Sequence, residues 1–149
     1  MTISLSALAI LAACILAYLW LKRQQDRRAV ERSSISPEEL HSLLNSDPPV
    51  LLFDVRLPLD LLSDSQIIPG SRRVPPKDIL TNPNLLPRDQ DIVVYCTCPS
   101  DATSRQVLGR TRALKFFRIK FLKGGLAAWK AKGFPVEPYT APFRLDTLV

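Results

Sequence analysis

The chain has 149 residues, 46% of them hydrophobic and 23% charged, with a net charge of +6. That is room for one globular domain with some length left over for an anchor or tail. Its 13 prolines argue against a helical bundle and for irregular connections.

From Met1 to Leu21 there is no charged residue, and "ISLSALAILAACILAYLWL" (Ile3 to Leu21) is mostly apolar. At ~1.5 Å rise per residue this run is about long enough to span a hydrocarbon core of roughly 30 Å. Tyr18 and Trp20 sit near its end, where amphipathic rings favour the membrane–water boundary. Lys22, Arg23, Arg27, Arg28 and Arg32 follow, and a basic flank predicts a cytoplasmic location for the chain beyond it. A cleaved signal peptide is disfavoured because no basic residues precede the apolar run. Leu11-Ala12-Ala13-Cys14 resembles a lipoprotein cleavage box, but the run stays apolar from Ile15 to Leu21. The expected organisation is a transmembrane anchor over 1–22, a basic juxtamembrane linker over 23–34, a globular domain over 35–139 and a tail over 140–149. The expected location is the cell membrane, single-pass, with the soluble domain in the cytoplasm. The basic segment has no interleaved aromatic residues, so topology explains it better than nucleic acid does.

The domain opens on Ser36-Pro37-Glu38-Glu39. Ser36 is a helix cap, Pro37 suits the first helical position, and Glu39 completes a capping box. Leu40, Leu43 and Leu44 continue that helix. "VLLFDVR" (Val50 to Arg56) reads as a strand, followed by a loop containing Pro58 and a turn at Pro69-Gly70. Val74 reads as a brief strand and Asp78 to Leu80 as a helical turn. Asp91 to Tyr95 is an unbroken apolar run, expected to be a strand buried on both faces. Val107, Leu108, Thr111 and Leu114 recur at helical spacing. "FRIKFLKGG" contributes another strand, and a short helix through Trp129 ends at Gly133. Strands alternating with helices predict an α/β fold with a parallel sheet.

In such a sheet, ligands bind beyond the carboxyl ends of the strands. "CTCPSDATS", Cys96 to Ser104, occupies that place. In a cytoplasmic domain Cys96 and Cys98 are expected as reduced thiols. A zinc site needs three or four protein ligands, and His41 is the lone soft ligand beyond the pair, so neither a metal nor a cofactor is expected. A thiolate facing a helix N-terminus is stabilised by unpaired N–H groups and by the helix dipole. Small residues at Ser100, Ala102, Thr103 and Ser104 let the loop curl around the sulfur, whereas Asp101 adds negative charge to an anion cradle. The competing reading makes both cysteines small residues filling a strand end.

The ordered segments Ser36-Pro37-Glu38-Glu39-Leu40, "LLFDVR", "IIPGS", "VVYC" and "FLKGGLAAWKAKGFPVE" together resemble a single-domain rhodanese over roughly Ile35 to Pro138. The resemblance implies five parallel strands flanked by helices. It also implies a cysteine that takes sulfur from a donor as a persulfide and passes it to a nucleophilic acceptor. The family's nucleophile follows a strand ending like "VVY", which is Cys96 here. The usual five-residue spacing to a helix-capping serine, counted back from Ser104, selects Cys98 instead. Either the loop of Thr97, Pro99, Ser100, Asp101, Ala102, Thr103 and Ser104 is two residues longer than usual with Cys96 as nucleophile, or Cys98 takes that role. The strand end favours Cys96, and the other thiol could resolve or accept the persulfide. Asp54 and Arg56 match the family's Asp-x-Arg, read mainly as structural support for the loop. Trp129 and Gly124-Gly125 match its closing motif, read as packing.

Ser65-Gln66 stands where the family often has Gly-His before Ile-Pro-Gly. The loop also lacks the glycine and the basic residue common in thiosulfate-using members. Arg105 lies just past it, and Arg72-Arg73 is read as a solvated pair. A protein-bound or low-molecular-weight persulfide donor therefore competes with thiosulfate. The Cys-x5-Arg of related phosphatases fails by count: Ser104 stands where the arginine belongs, and Arg105 comes one residue late. The expectation is a membrane-anchored sulfurtransferase whose partners are the membrane, a small-molecule or protein-bound sulfur donor, and a thiol acceptor. Two alternatives accompany it: a catalytically idle binding module, and a redox sensor using a reversible Cys96–Cys98 bond.

Overall fold

The computed structural model describes residues 5–97 and 101–142, in two units divided after Ser33. The first is a helix, α1 (Leu5–Glu31). It contains Ala7–Gln25, a stretch long and apolar enough to cross a membrane by length and composition. Ile10, Leu16, Tyr18 and Trp20 are all more than half exposed along it. The helix continues through most of the basic stretch expected as a linker. Lys, Arg, Gln and Ala are good helix formers there, and no Gly or Pro interrupts them.

The second unit begins with strand β1 (Ser34–Ile35) and helix α2 (Pro37–Leu44). The Ser36 hydroxyl accepts the Glu39 N–H at 3.1 Å, and Pro37 opens the helix. The second half of the expected capping box is replaced, because the Glu39 carboxylate pairs with Lys120 at 3.4 Å. There follow β2 (Leu51–Asp54), α3 (Pro58–Ser63), β3 (Gln66–Ile67), β4 (Arg72–Arg73), α4 (Pro76–Thr81) and β5 (Ile92–Tyr95). Helix α5 (Ala102–Ala113), β6 (Ile119–Leu122), α6 (Gly125–Ala131) and β7 (Glu137–Pro138) complete the order.

Five strands form one sheet in the order β1-β6-β5-β2-β4, with every neighbouring pair parallel. The fold is therefore α/β, as the alternating pattern predicts. β5 lies at the centre between β6 and β2, and all four of its residues are buried. That position explains its unbroken apolar character. Ile35, Leu40, Leu52, Ile68, Val93, Tyr95, Leu122, Leu126 and Trp129 form one buried cluster. Each large apolar side chain in it contributes about 1.5–3 kcal/mol by leaving water. His41 belongs to this packing, stacked on Phe134 with ring centroids 4.5 Å apart.

Three elements depart from the sequence reading. The segment read as a loop around Pro58 is helix α3, in which Pro58 takes the first position and the Asp60 carboxylate accepts the Leu57 N–H at 3.3 Å. The brief strand expected at Val74 falls on Arg72–Arg73 instead, in register with Phe53 and Asp54. Gln66–Ile67 pairs antiparallel with Glu137–Pro138, a ribbon whose halves are too short and too far apart in sequence to carry a periodic signal.

Candidate active site at the carboxyl edge of the sheet

β2 and β5 end side by side, with Asp54 opposite Tyr95, so the residues that follow them meet at one edge. Cys96 follows β5 directly and is fully buried. Its carbonyl accepts the Leu126 N–H at 2.9 Å. Gly125, at φ +55°, packs so closely on Cys96 that a Cβ there would lie 1.9 Å from the Cys96 carbonyl oxygen. Only glycine permits both the positive φ and that approach. The neighbouring Gly124, at φ +73°, donates its N–H to Asp101 Oδ2 at 3.1 Å. The Gly124–Leu126 turn thus grips both Cys96 and Asp101, the two ends of the cysteine loop.

Asp101 precedes α5 in a left-handed conformation, φ 53° and ψ 24°, and its side chain does not cap the helix. A capping aspartate has extended backbone angles; this one is rotated so that its carboxylate meets the Gly124 turn. Asp101 is 4% exposed. Burial pushes its pKa up, opposed in part by the Gly124 N–H and by Arg105 and Lys123. Three side-chain oxygens around the loop are buried with no hydrogen-bond partner among the described residues: Thr97 Oγ1, Asp101 Oδ1 and Ser104 Oγ. Native interiors rarely leave such atoms unpaired, which sets this loop apart from the rest of the sheet edge.

The end of β2 is satisfied throughout. Asp54 and Arg56 are both fully buried. The guanidinium meets the carboxylate through Nε and through Nη2, the latter at 2.6 Å. Burial opposes the guanidinium charge most strongly, yet the Asp54 carboxylate, together with Tyr95 and Asp64, raises the Arg56 pKa on balance. Arg56 also donates to the carbonyls of Asp64 (2.7 Å) and Gln66 (2.9 Å), bracing the segment that leads into β3. The Tyr95 hydroxyl donates to Asp54 Oδ2 at 3.2 Å and accepts the Ile68 N–H at 3.2 Å. Burial, reinforced by the Asp54 charge, pushes the Tyr95 phenol well above its ordinary value.

Of the loop residues singled out in the sequence, Cys98, Pro99 and Ser100 lie outside the described residues. Cys96, Thr97, Asp101, Ala102, Thr103 and Ser104 follow β5 or open α5, as expected. Arg105 is exposed on α5, its N–H donating to the Asp101 carbonyl at 2.9 Å. Asp54 and Arg56, expected to support the cysteine loop, are buried, and the hydrogen bonds of Arg56 reach the carbonyls of Asp64 and Gln66. Arg73 departs from the reading of a solvated pair: its side chain is 7% exposed and lies 3.9 Å from Asp54, with Nη1 donating to the Arg56 carbonyl. The register of β4 against β2 turns it inward, which its exposed neighbour Arg72 conceals in the sequence. Tyr95 reads as a strand residue, and its hydrogen-bonding role depends on contacts with Asp54 and Ile68 that no local pattern encodes.

The profile of the Rhodanese-like domain matches residues 36–132. A sulfurtransferase of Allochromatium vinosum is 31% identical over 104 residues, covering 70% of this chain and 94% of that protein. A probable adenylyltransferase/sulfurtransferase MoeZ of Mycobacterium tuberculosis is 32% identical over 104 residues, covering 68% of this chain but only 26% of its own length. Among solved structures, the Alr3790 protein from Anabaena sp. aligns with a TM-score of 0.60 at 31% identity, covering 70% of this chain and 82% of that one. A Lactobacillus plantarum protein aligns with a TM-score of 0.66 at 23% identity, covering 78% of this chain and 97% of that one, a likeness of fold. The profile match runs from the capped helix α2 to the end of α6 and takes in strands β2 to β6, the cysteine loop and the glycine turn that grips it; the chain belongs to the Rhodanese-like domain family.

Proposed function

We propose that this protein is a membrane-anchored sulfurtransferase that carries sulfane sulfur as a cysteine persulfide in the loop after β5. The observation that carries the reading is the position of Cys96, at the carboxyl end of the central strand, between the gripping Gly124–Leu126 turn and the start of α5. A sulfurtransferase-type function is supported by the family and by the sulfurtransferase relatives at about 31% identity. The Cys96 thiolate attacks the outer sulfur of a donor, forming a new S–S bond as the donor's S–X bond breaks. Helix N–H groups favour the resulting persulfide anion. A thiol acceptor, or cyanide in an assay, then removes the outer sulfur and regenerates Cys96. The apolar stretch Ala7–Gln25 and the basic residues after it support a single-pass anchor with the domain on the cytoplasmic side.

A second assignment within this reading has one observation in its favour. Cys96 is 0% exposed, as a structural cysteine would be, which favours Cys98 as the residue that meets the donor. One experiment separates the two. The full chain, purified in detergent, is incubated with thiosulfate or with an organic persulfide and its intact mass is measured. The expected outcome is a gain of one sulfur atom that cyanide removes, retained in one of C96S and C98S and lost in the other. No sulfur uptake from either donor overturns the enzyme reading in favour of a binding module or redox sensor.

A further inference from the structure

We propose that the groove between α3, α4 and α5 is a docking surface for a protein, a thiol-bearing acceptor that presents one large apolar side chain among acidic residues. The docking stands on the groove itself; the partner's part as sulfur acceptor rests on the sulfurtransferase reading above.

The domain leaves few large apolar side chains in water. Outside α1, those exposed among the described residues are Leu57, Leu59, Leu62, Leu85 and Phe117. The first three fall in one short stretch, α3 and the residue before it. Single exposed apolar residues are ordinary, whereas a group of them marks an interaction surface. Leu57, 47% exposed, also walls a cavity of about 220 Å³ together with Pro58, Pro75, Pro76 and Leu80. Thr103 and Gln106, in the first turns of α5, close its other side. The groove therefore lies beside the helix that begins where the cysteine loop ends.

Its size and stiffness suit an anchoring side chain. Sites for small organic ligands hold roughly 300–1,000 Å³. This cavity is smaller, and it has room for one large side chain of the kind that anchors protein interfaces. Pro58 and Pro76 hold the first positions of α3 and α4, with Pro75 just before. Proline fixes its own backbone angle, so the walls are set in advance and little freedom is lost when the groove is filled.

The rim is basic. Lys77 lines the cavity, Arg110 donates from Nε to the Leu80 carbonyl at 3.2 Å, and Arg105 is the neighbour of Gln106. All three residues are exposed, whereas Asp60 and Asp78, the acids of α3 and α4, are half-buried. The Asp60 carboxylate is also turned to the Leu57 N–H. Such a rim attracts an acidic surface and turns away a basic one. A bilayer suits the groove less well. The chain enters the domain at Ser34, at the amino end of β1, which runs parallel to β6. The groove opens where α3 and α4 begin, past the carboxyl ends of β2 and β4, so its occupant comes from solution.

In the transfer this docking serves, the partner's thiolate attacks the outer sulfur of the cysteine persulfide. A new S–S bond forms on the partner as the old one breaks, and the cysteine thiolate is released.

The test uses the full chain in nanodiscs of zwitterionic lipid and a fluorescent peptide carrying one cysteine, one phenylalanine and several aspartates. Two control peptides replace the phenylalanine by alanine or the aspartates by lysines, and fluorescence anisotropy reads the affinity of each. The phenylalanine–aspartate peptide is expected to bind roughly tenfold or more tightly than either control, an advantage that L57S and L80S remove. K77E is expected to shift the preference several-fold toward the lysine peptide. Sulfur loading from a small donor stays unchanged in all three variants, which shows that they are folded. In the wild type, the loaded chain passes its sulfur to the phenylalanine–aspartate peptide faster than to the controls. Equal binding of the three peptides overturns the proposal, as does a preference that survives every variant, the result of attraction to the basic residues after the anchor. Wild-type self-association that L57S disperses also overturns it, because a second copy would then fill the groove. Peptide binding as expected in a chain that never loads sulfur is a different result: the docking surface stands and the sulfurtransferase reading falls.

Discussion

The ends of β2 and β5 are neighbours in one sheet, and they treat buried polar groups in opposite ways. At the end of β2, Asp54 and Arg56 are fully buried and bonded to each other, to two backbone carbonyls and to Tyr95. At the end of β5, Thr97, Asp101 and Ser104 each keep a buried oxygen without a partner among the described residues. An unpaired buried polar group costs about 1–3 kcal/mol, so the second arrangement is unfavourable on its own terms. The difference fits the proposed division of labour, with the satisfied end as scaffolding and the unsatisfied end as the candidate site. Tyr95 links them, since its hydroxyl reaches Asp54 while its main chain continues directly into Cys96.

The largest way to break the comparison is to unpair the scaffold. Removing the guanidinium in R56A leaves Asp54 as an uncompensated buried charge and is expected to cost about 3–5 kcal/mol. Urea unfolding of the full chain in detergent reads this, and a loss under about 1 kcal/mol would mean that water or Arg73 compensates the carboxylate. Next in size is G125A. A methyl group 1.9 Å from the Cys96 carbonyl oxygen, at φ +55°, forces the turn off the cysteine and is expected to cost about 2–3 kcal/mol. Sulfur loading should fall with it; normal stability with normal loading would show that the turn does not hold the loop. The smallest effect on stability sharpens the contrast. S104A removes an unpaired buried hydroxyl and places a better helix former in α5, so stability should hold or rise by about 0.5 kcal/mol, while sulfur loading slows. A clear loss of stability in S104A would mean that Ser104 Oγ has a partner in solution and that the two strand ends do not differ as described.

Much of this protein was readable before its fold was known, wherever the physics is local. The Ser36 cap with Pro37, the buried run of β5, the helical spacing in α5 and the stop at Gly133 are contacts within a few residues of each other. Side-chain period and capping chemistry encode these directly. The apolar run ahead of the basic block is similarly local, and so is the placement of Cys96 after a strand and before a helix. Helix α3 was also locally signalled, by Pro58 in the first position and Asp60 two residues on, but its shortness let a single proline pass for a loop.

What tertiary structure alone decided concerns partners far apart in the chain. The Arg73 side chain is only 7% exposed because β4 pairs with β2 in a register that turns it toward Asp54. The Gln66–Ile67 ribbon exists because Glu137–Pro138 arrives from the other end of the domain. Gly125 needs to be glycine because of a carbonyl at Cys96, and Asp101 turns from helix cap to buried acceptor because Gly124 is there to bind it. In the sequence these are a basic pair, two prolines' neighbours, a glycine turn and an acid in a polar loop. A chain encodes its strands and caps residue by residue, but burial, charge and access belong to pairs of residues, and folding chooses the pairs.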